Sequence, residues 1–427
     1  MQQPEIATDS LNVSVLAGIV KKPIFREQGV KLIIATTIFI PSLMQMKLQL
    51  SSLATGLLIM AFFILLAALV AVRHIPLINL LKSVKLAPLI TIGLILVHYL
   101  LSRIFVLLPQ DSLRFLLGFS GLVLLVAAAR VVASSLVQLN QNAVQRIISF
   151  IMGIFVLNAI LTLTGIDFLG TATNKSTFLF GEPSHFAFLV TPFLIYYVKT
   201  RSFGWAFALL IFILTAIYIE NLTMMVMVLL TAVVSFRMRV IFLIFPIFLL
   251  ILFFFADTDY FSNRLSLSPN DSDNLSVLVY FQGWQNALLA FWKTSGWGVG
   301  FQQFGIASPT GEVTEKILLL YGLESNLLDG GSLAPKLLGE FGILGAVIIM
   351  AMTVRAARAF CVLKHGQITT NLFLFARCVE VGILIELFIR GVGYFSPGLF
   401  IYLIILFCNN FLKKQLAVNA YSGRRLN

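Results

Sequence analysis

An acid and an imidazole three residues apart, just behind a proline, are the first residues here with types and spacing suited to proton transfer. They lie in Phe180-Gly-Glu-Pro-Ser-His-Phe186. Gly181 permits a turn, and Pro183 is pre-set for the first position of a helix. Because an apolar run follows, that helix enters a membrane with its positive dipole end at Glu182 and His185. Such a terminus suits a phosphate or diphosphate group, and Glu182 or His185 beside it can act as acid or base. The alternative is a helix start carrying interfacial polar residues, which favour these positions.

Cationic residues near apolar runs supply the other half of such chemistry. Ser332-Leu-Ala-Pro335-Lys336 repeats the proline-led helix start, and Lys336 there either contacts a phosphate or snorkels at the interface. Arg264 carries a guanidinium that binds phosphate oxygens bidentately and stays charged at any relevant pH; its alternative is an ion pair with Asp257, Asp259 or Asp271. Arg390 ends an apolar stretch, and a charge near a bilayer is costly enough to mark function by default. Glu386, four residues earlier on the same helical face, offers it a structural partner instead. Arg377 and Glu380 pose a weaker version of the same question.

Other signals fail. Gly296 to Gly300 has a dinucleotide-like spacing but no strand-loop-helix unit around it. No Walker lysine, HExxH or carboxylate cluster of metal-site spacing occurs, so neither a metal nor a cofactor is expected. His74 and His365 fall in connecting loops, and His98 falls in an apolar run as a packed residue. Cys361, Cys378 and Cys408 form no disulfide framework. The sequon Asn174-Lys-Ser176 matters only in a glycosylating pathway.

The elements that must position these residues follow from composition. Hydrophobic residues make up 59% of the 427 and charged residues 11%, with a mean hydropathy of +0.97. A soluble domain carries roughly 25% charged residues, so the chain reads as an all-α polytopic membrane protein, with one transmembrane domain over 1–427. The formal charge of +12 then reflects basic cytoplasmic loops, not a nucleic-acid partner. A span needs about 20 apolar residues, and about twelve are predicted, near 32–50, 53–72, 86–105, 113–131, 147–166, 183–198, 203–219, 222–236, 238–255, 333–354, 371–390 and 398–413. Pro41 and Gln45 make the first the weakest. Glu220-Asn221 predicts a tight hairpin, and 135–146 a polar interfacial helix. The first thirty or so residues lack a signal-peptide core with a cleavage site, so the first span is expected to serve as an uncleaved anchor.

Basic residues orient the chain. With a cytoplasmic N-terminus, the inside segments hold Lys21, Lys22, Arg26, Lys31, Arg73, Lys82, Lys85, Arg130, Arg146, Lys199, Arg201, Arg237, Arg239, Arg355, Arg358, Lys364, Lys413, Lys414, Arg424 and Arg425. The outside holds fewer: Lys47, Arg103, Arg114, Lys175, Arg264, Lys293, Lys316, Lys336 and Arg390. Both termini are therefore expected inside, and the long polar segment 256–332, between the ninth and tenth spans, outside. Loops fixed to rigid scaffolds are where chemistry concentrates, so this loop is expected to close over a substrate.

Three landmarks in order then resemble a known group: Gly181-Glu-Pro-Ser-His-Phe186; Asn263-Arg-Leu265 running to Trp284 and Gly296-Trp-Gly-Val-Gly-Phe301; and Leu337-Leu-Gly-Glu-Phe-Gly-Ile-Leu-Gly345. With about twelve spans and one large late loop, the chain is similar to the O-antigen polymerase and ligase superfamily, and within it to the Wzy-type polymerases. The resemblance implies a GT-C-like, metal-independent membrane glycosyltransferase with a periplasmic active face in the bacterial inner membrane. Such an enzyme moves a growing glycan from undecaprenyl diphosphate to a lipid-linked repeat unit, and a chain-length regulator is an expected partner besides the bilayer. By this resemblance Arg264 steadies the diphosphate leaving group, and Glu182 or His185 activates the acceptor hydroxyl. Arg390 and Lys336 add charge, while Tyr280, Trp284 and Trp297 offer flat faces for sugar rings. Ligases carry a histidine-asparagine pair where this chain reads Asp329-Gly-Gly-Ser332, with Glu324 and Asn326 upstream as the substrate-binding candidates. The missing histidine disfavours the ligase alternative, and interruptions clustered toward one face disfavour a flippase or transporter.

Overall fold

Within a bilayer every backbone N–H and C=O must be satisfied inside the protein, which helices achieve on their own. The computed structural model describes residues 23–50, 52–71, 86–105, 109–166, 177–237, 239, 269, 272–322, 326–366 and 370–423, and these are helical apart from connections and one isolated bridge, Thr177–Phe180. In chain order the helices are α1 (Glu27–Lys47), α2 (Leu53–Ala71), α3 (Leu86–Phe105), α4 (Ser112–Leu136), α5 (Gln141–Leu163), α6 (Pro183–Lys199) and α7 (Trp205–Tyr218). They continue as α8 (Leu222–Ser235), α9 (Leu275–Lys293), α10 (Glu312–Tyr321), α11 (Leu333–His365), α12 (Asn371–Phe388) and α13 (Pro397–Gly423). Five of them, α1, α2, α4, α5 and α11, are long and apolar enough to cross a membrane.

Helices occupy every predicted apolar stretch except 238–255, which lies outside the described residues. The first stretch is helical through Pro41, and α2 passes close to it there: a Cβ on Gly56 would come within 2.7 Å of the Pro41 Cα. The hairpin at 220–221 forms as its sequence predicts: Glu220 takes φ 55°, and the Asn221 side chain caps α8 by accepting from the Met224 N–H. The separate interfacial helix expected over 135–146 does not form. The Asn140 side chain accepts from the Ala143 N–H and starts α5 there, so the polar run is a turn plus the first turn of a long helix.

The centre of the bundle is α6. Its residues from Pro183 to Tyr196 are all buried, as expected of a helix without a polar face, and it packs against α8, α12, α5 and α7. The segment expected as one large loop contains two helices, α9 and α10, joined through Leu278, Val279, Val313 and Ile317. Helix α9 packs in turn along α11.

The glycine-rich runs on either side of α10 form one interlocked unit. Within α11, Gly342 leaves helical geometry at φ 55° and ψ −126°. That break frees backbone groups, which Gly296-Trp-Gly-Val-Gly300 satisfies: Val299 N–H donates to the Gly339 carbonyl (2.9 Å), Gly300 N–H to Glu340 (2.9 Å), and Ile343 N–H to Gly296 (2.8 Å). The approach admits no side chain at either centre. A Cβ on Gly298 would lie 2.4 Å from the Glu340 carbonyl oxygen, and one on Gly342 would lie 1.9 Å from that of Gly296. Trp297 stacks on His98 at 5.2 Å and 10°, the His98 Nε2 lies 3.1 Å from the Trp297 carbonyl, and the indole Nε1 donates to the Ser102 hydroxyl at 2.9 Å. The interlock is thereby tied to α3.

Candidate active site

The start of α6 is held from below. A tight turn pairs Thr177 and Phe180 through both backbone N–H groups (3.0 and 2.9 Å). Two residues of α5 hold it: the Asn158 side chain accepts from Leu179 N–H at 2.7 Å, and the Thr162 hydroxyl accepts from Phe178 N–H at 3.3 Å. The chain therefore reaches Pro183 on a fixed course. Glu182 occupies the capping position without capping the helix. Its Oε2 instead accepts from Arg390 Nη2 at 3.0 Å and from the Ser184 hydroxyl at 3.1 Å, and lies 3.3 Å from His185 Nε2. Partial burial alone would raise the Glu182 pKa; the charges of His185 and Arg390, with the hydrogen bonds from Arg390 and Ser184, outweigh it and hold the carboxyl at about 2. Arg390, just past the end of α12, thus pairs across to α6 and not with Glu386.

The start of α11 faces the same mouth. Asn326 (φ 51°), Gly330 (φ 65°) and Gly331 (φ 67°) curl the chain so that Asp329 projects toward Lys336. The Lys336 ammonium, only 2% exposed, donates to Asp329 Oδ1 at 3.1 Å and to the Leu328 carbonyl at 2.8 Å. Neither a free phosphate ligand nor a snorkelling side chain describes it; it is a buried cation committed to Asp329. Beneath lie Tyr394, whose ring Lys336 faces at 5.3 Å, and the fully buried Glu340, which accepts from Phe304 N–H at 3.3 Å. The curl is clamped on two sides. Gly391 N–H donates to the Gly331 carbonyl at 3.0 Å, and Gly283 of α9 sits so close that a Cβ would lie 2.0 Å from the Gly330 oxygen. The two mouths are adjacent, since Gly391, next to Arg390, donates its N–H to the Gly331 carbonyl of the curl, and Gly393 lies against Asp329 and Lys336.

Of the residues singled out in the sequence, Glu182, His185, Arg390 and Lys336 therefore come together. Asn326 shapes the curl, its carbonyl accepting from the Asp329 and Gly330 N–H groups. Tyr280 and Trp284 lie one step round α9 from Val279 and Gly283, the residues that touch Gly331 and Gly330. Trp297 belongs to the interlock. Arg264 and Glu324 lie outside the described residues.

Asp329, Glu340 and Tyr394 were not singled out, although each sits in a stretch that was: Glu340 in the third landmark, Asp329 before two glycines, Tyr394 between Arg390 and Pro397. Their convergence depends on contacts some 60 residues apart, which no spacing announces. Below the mouth, Glu386 (1% exposed) faces a narrow, otherwise apolar cleft between α6, α12 and α13, lined by Phe188, Pro192, Ile383 and Ile401. Midway along α12, Glu380 is fully buried between Arg377 (2.5 Å) and Arg355 (2.7 Å), a structural bridge joining α11 and α12.

Among the described residues no three His, Cys, Asp or Glu side chains gather as a metal site. The chain matches no protein-family model, no curated protein and no solved structure. What the mouth can do rests on its chemistry. Two helix N-termini, a carboxylate at Glu182, an imidazole, a second carboxylate at Asp329 and two cations converge where a membrane helix begins. That combination suits proton transfer beside a bound anion.

Proposed function

We propose that this protein is a membrane glycosyltransferase of the O-antigen (or capsule-type) polysaccharide polymerase kind. It transfers a growing glycan from undecaprenyl diphosphate to a lipid-linked repeat unit, without a metal or nucleotide sugar. The observation that carries the reading is the mouth itself, where Glu182, His185, Arg390 and the Asp329–Lys336 pair meet at the starts of α6 and α11. Glycosyl transfer from a lipid diphosphate needs stabilised leaving-group charge and a deprotonated acceptor hydroxyl. The mouth offers both beside the bilayer that would hold the lipid. Arg264 is assigned to the diphosphate, with the aromatic residues Tyr280 and Trp284 flanking the sugars.

The same reading takes the fold as GT-C-like with about twelve spans, in the bacterial inner membrane. Both termini face the cytoplasm, the mouth and the 256–332 segment face the periplasm, and a chain-length regulator is the expected protein partner.

The test is a gel of surface polysaccharide from cells lacking this gene. Single repeat units on the surface are expected, because their ligation continues. Lipid-linked polymer accumulating in the periplasm would identify a ligase instead, and single units trapped on the cytoplasmic face a flippase.

A further inference from the structure

If the mouth transfers a glycan, one group must take the proton of the acceptor hydroxyl, and the residues expected for this are poorly placed. A single oxygen of Glu182 is shared by Arg390, Ser184 and His185. A carboxylate so engaged is an anchor for the arginine. The side chain of His185 is 7% exposed and lies beneath Glu182, with Nε2 directed at it.

Asp329 differs in how it is engaged rather than in exposure, since the Glu182 side chain is 45% exposed but held by three partners. The Asp329 side chain is 36% exposed, and it accepts one side-chain hydrogen bond, at Oδ1 from Lys336. The second oxygen, Oδ2, accepts no hydrogen bond among the described residues. Gly393, at φ 76°, lets the backbone pass close to the ion pair: a Cβ there would lie 3.0 Å from Asp329 Oδ1 and 3.1 Å from Lys336 Nζ. The carboxylate is also held still, since Gly330 and Gly331 are clamped by α9 and by the Gly391 N–H. A reactive group needs a rigid seat, one fixed partner and one open lone pair.

We propose that Asp329 is the general base of this site, with Lys336 as its positioning residue, an inference that rests on the glycosyl-transfer reading. The acceptor O–H proton passes to Asp329 Oδ2 as the acceptor oxygen bonds to the anomeric carbon of the donor glycan. The bond from that carbon to the diphosphate oxygen breaks, and its electron pair leaves with the diphosphate. Asp329 then returns the proton to water. The Lys336 ammonium keeps Oδ1 engaged throughout, so the carboxylate cannot rotate its open oxygen away.

The experiment uses the full-length protein in phosphatidylethanolamine–phosphatidylglycerol nanodiscs. It is supplied with lipid-linked single repeat units extracted from cells lacking the gene, and chain extension is read on a gel against pH. The charged and titratable groups around Asp329 are Lys336 and Glu340 of α11, Glu182 and His185 at α6, and Arg390 and Tyr394 beyond α12. General-base removal costs about 100- to 10,000-fold, so Asp329→Asn should lower extension at least ~100-fold with abundance and elution unchanged, while Asp329→Glu keeps measurable activity.

Extension by Asp329→Asn at a rate near wild type overturns the assignment while leaving the polymerase reading intact. Should Asp329→Asn fail to accumulate, Asp329→Glu decides. The acid limb of the rate must move when the aspartate is replaced by glutamate, because the group that takes the proton has changed. An acid limb left in place overturns the proposal. A wild-type protein that extends nothing overturns the polymerase reading, and this inference with it.

Discussion

Glu182 and Arg390 show what a single residue contributes to this site. Their contact at 3.0 Å joins the start of α6 to the end of α12, elements 208 positions apart in the chain. Removing the cation by Arg390→Ala leaves Glu182 with Ser184 and His185 only. Extension should drop about 100- to 1,000-fold, the scale of one lost donor in a preorganised electrostatic site. Arg390→Lys should recover part of it, and equal losses in both variants would show that charge at this position does not matter.

The pair also has a pH signature. The Glu182 carboxyl sits near 2, below its ordinary 4.5, so it binds fewer protons in the folded protein than in the unfolded chain. Its contribution to stability is then complete above the ordinary value and is lost as pH falls from there toward 2. Thermal unfolding of the detergent-solubilised protein should show wild type losing its advantage over Glu182→Gln between about pH 4.5 and 3; parallel curves would remove Glu182 from the account. Arg264→Ala is expected to abolish long-chain glycan with protein abundance unchanged, measured on the same surface-polysaccharide gel, and full-length polymer would remove Arg264 from the reaction.

At the scale of elements, the two glycine-rich runs have a meaning that their letters do not carry. Gly296 to Gly300 and Leu337 to Gly345 can be marked as landmarks in the sequence. That they zip together through the break at Gly342 depends on pairing about 40 residues apart, and so was not legible. Two helix starts were legible because proline and polar caps act locally: Pro183 and Asn221 each sit where a helix begins. For the same reason the interfacial helix over 135–146 was misread, since its polar residues were weighed by composition while Asn140 acts as a cap.

The interlock yields a paired prediction. Gly298 and Gly322 both have positive φ, 89° and 66°, but a Cβ meets the Glu340 carbonyl at 2.4 Å at the first and nothing within 4 Å at the second. Gly322→Ala should cost only the left-handed strain, about 1–2 kcal/mol. Gly298→Ala adds a backbone collision and should prevent recovery of monodisperse protein from detergent, or lower its unfolding temperature far more. Similar unfolding temperatures for the two variants would mean that the runs do not interlock.

At the scale of the whole molecule the question is which face of the bilayer the mouth meets. Apolar length and the distribution of arginine and lysine are properties of composition, so the membrane class was legible throughout; the convergence of α6, α11 and α12 at one end was not, because it is set by packing. Helix α11 breaks at Gly342, and its part from Ile343 to His365 extends about 35 Å at 1.5 Å per residue, enough for the roughly 30 Å of a hydrocarbon core. Its two ends therefore face opposite sides, with Asp329 and Lys336 near one and Cys361 near the other. Cys361 is exposed while Cys378 and Cys408 are buried, which makes it a natural reporter. A membrane-impermeant maleimide should spare Cys361 in spheroplasts and label it in inverted vesicles. In a Cys361→Ser background, Glu312→Cys on the exposed side of α10 should behave oppositely. Labelling of Cys361 in spheroplasts would turn the molecule over. It would place Glu182 and Asp329 in the cytoplasm, where a polymerase of translocated repeat units has no substrate, and the glycosyl-transfer reading would fall with the orientation.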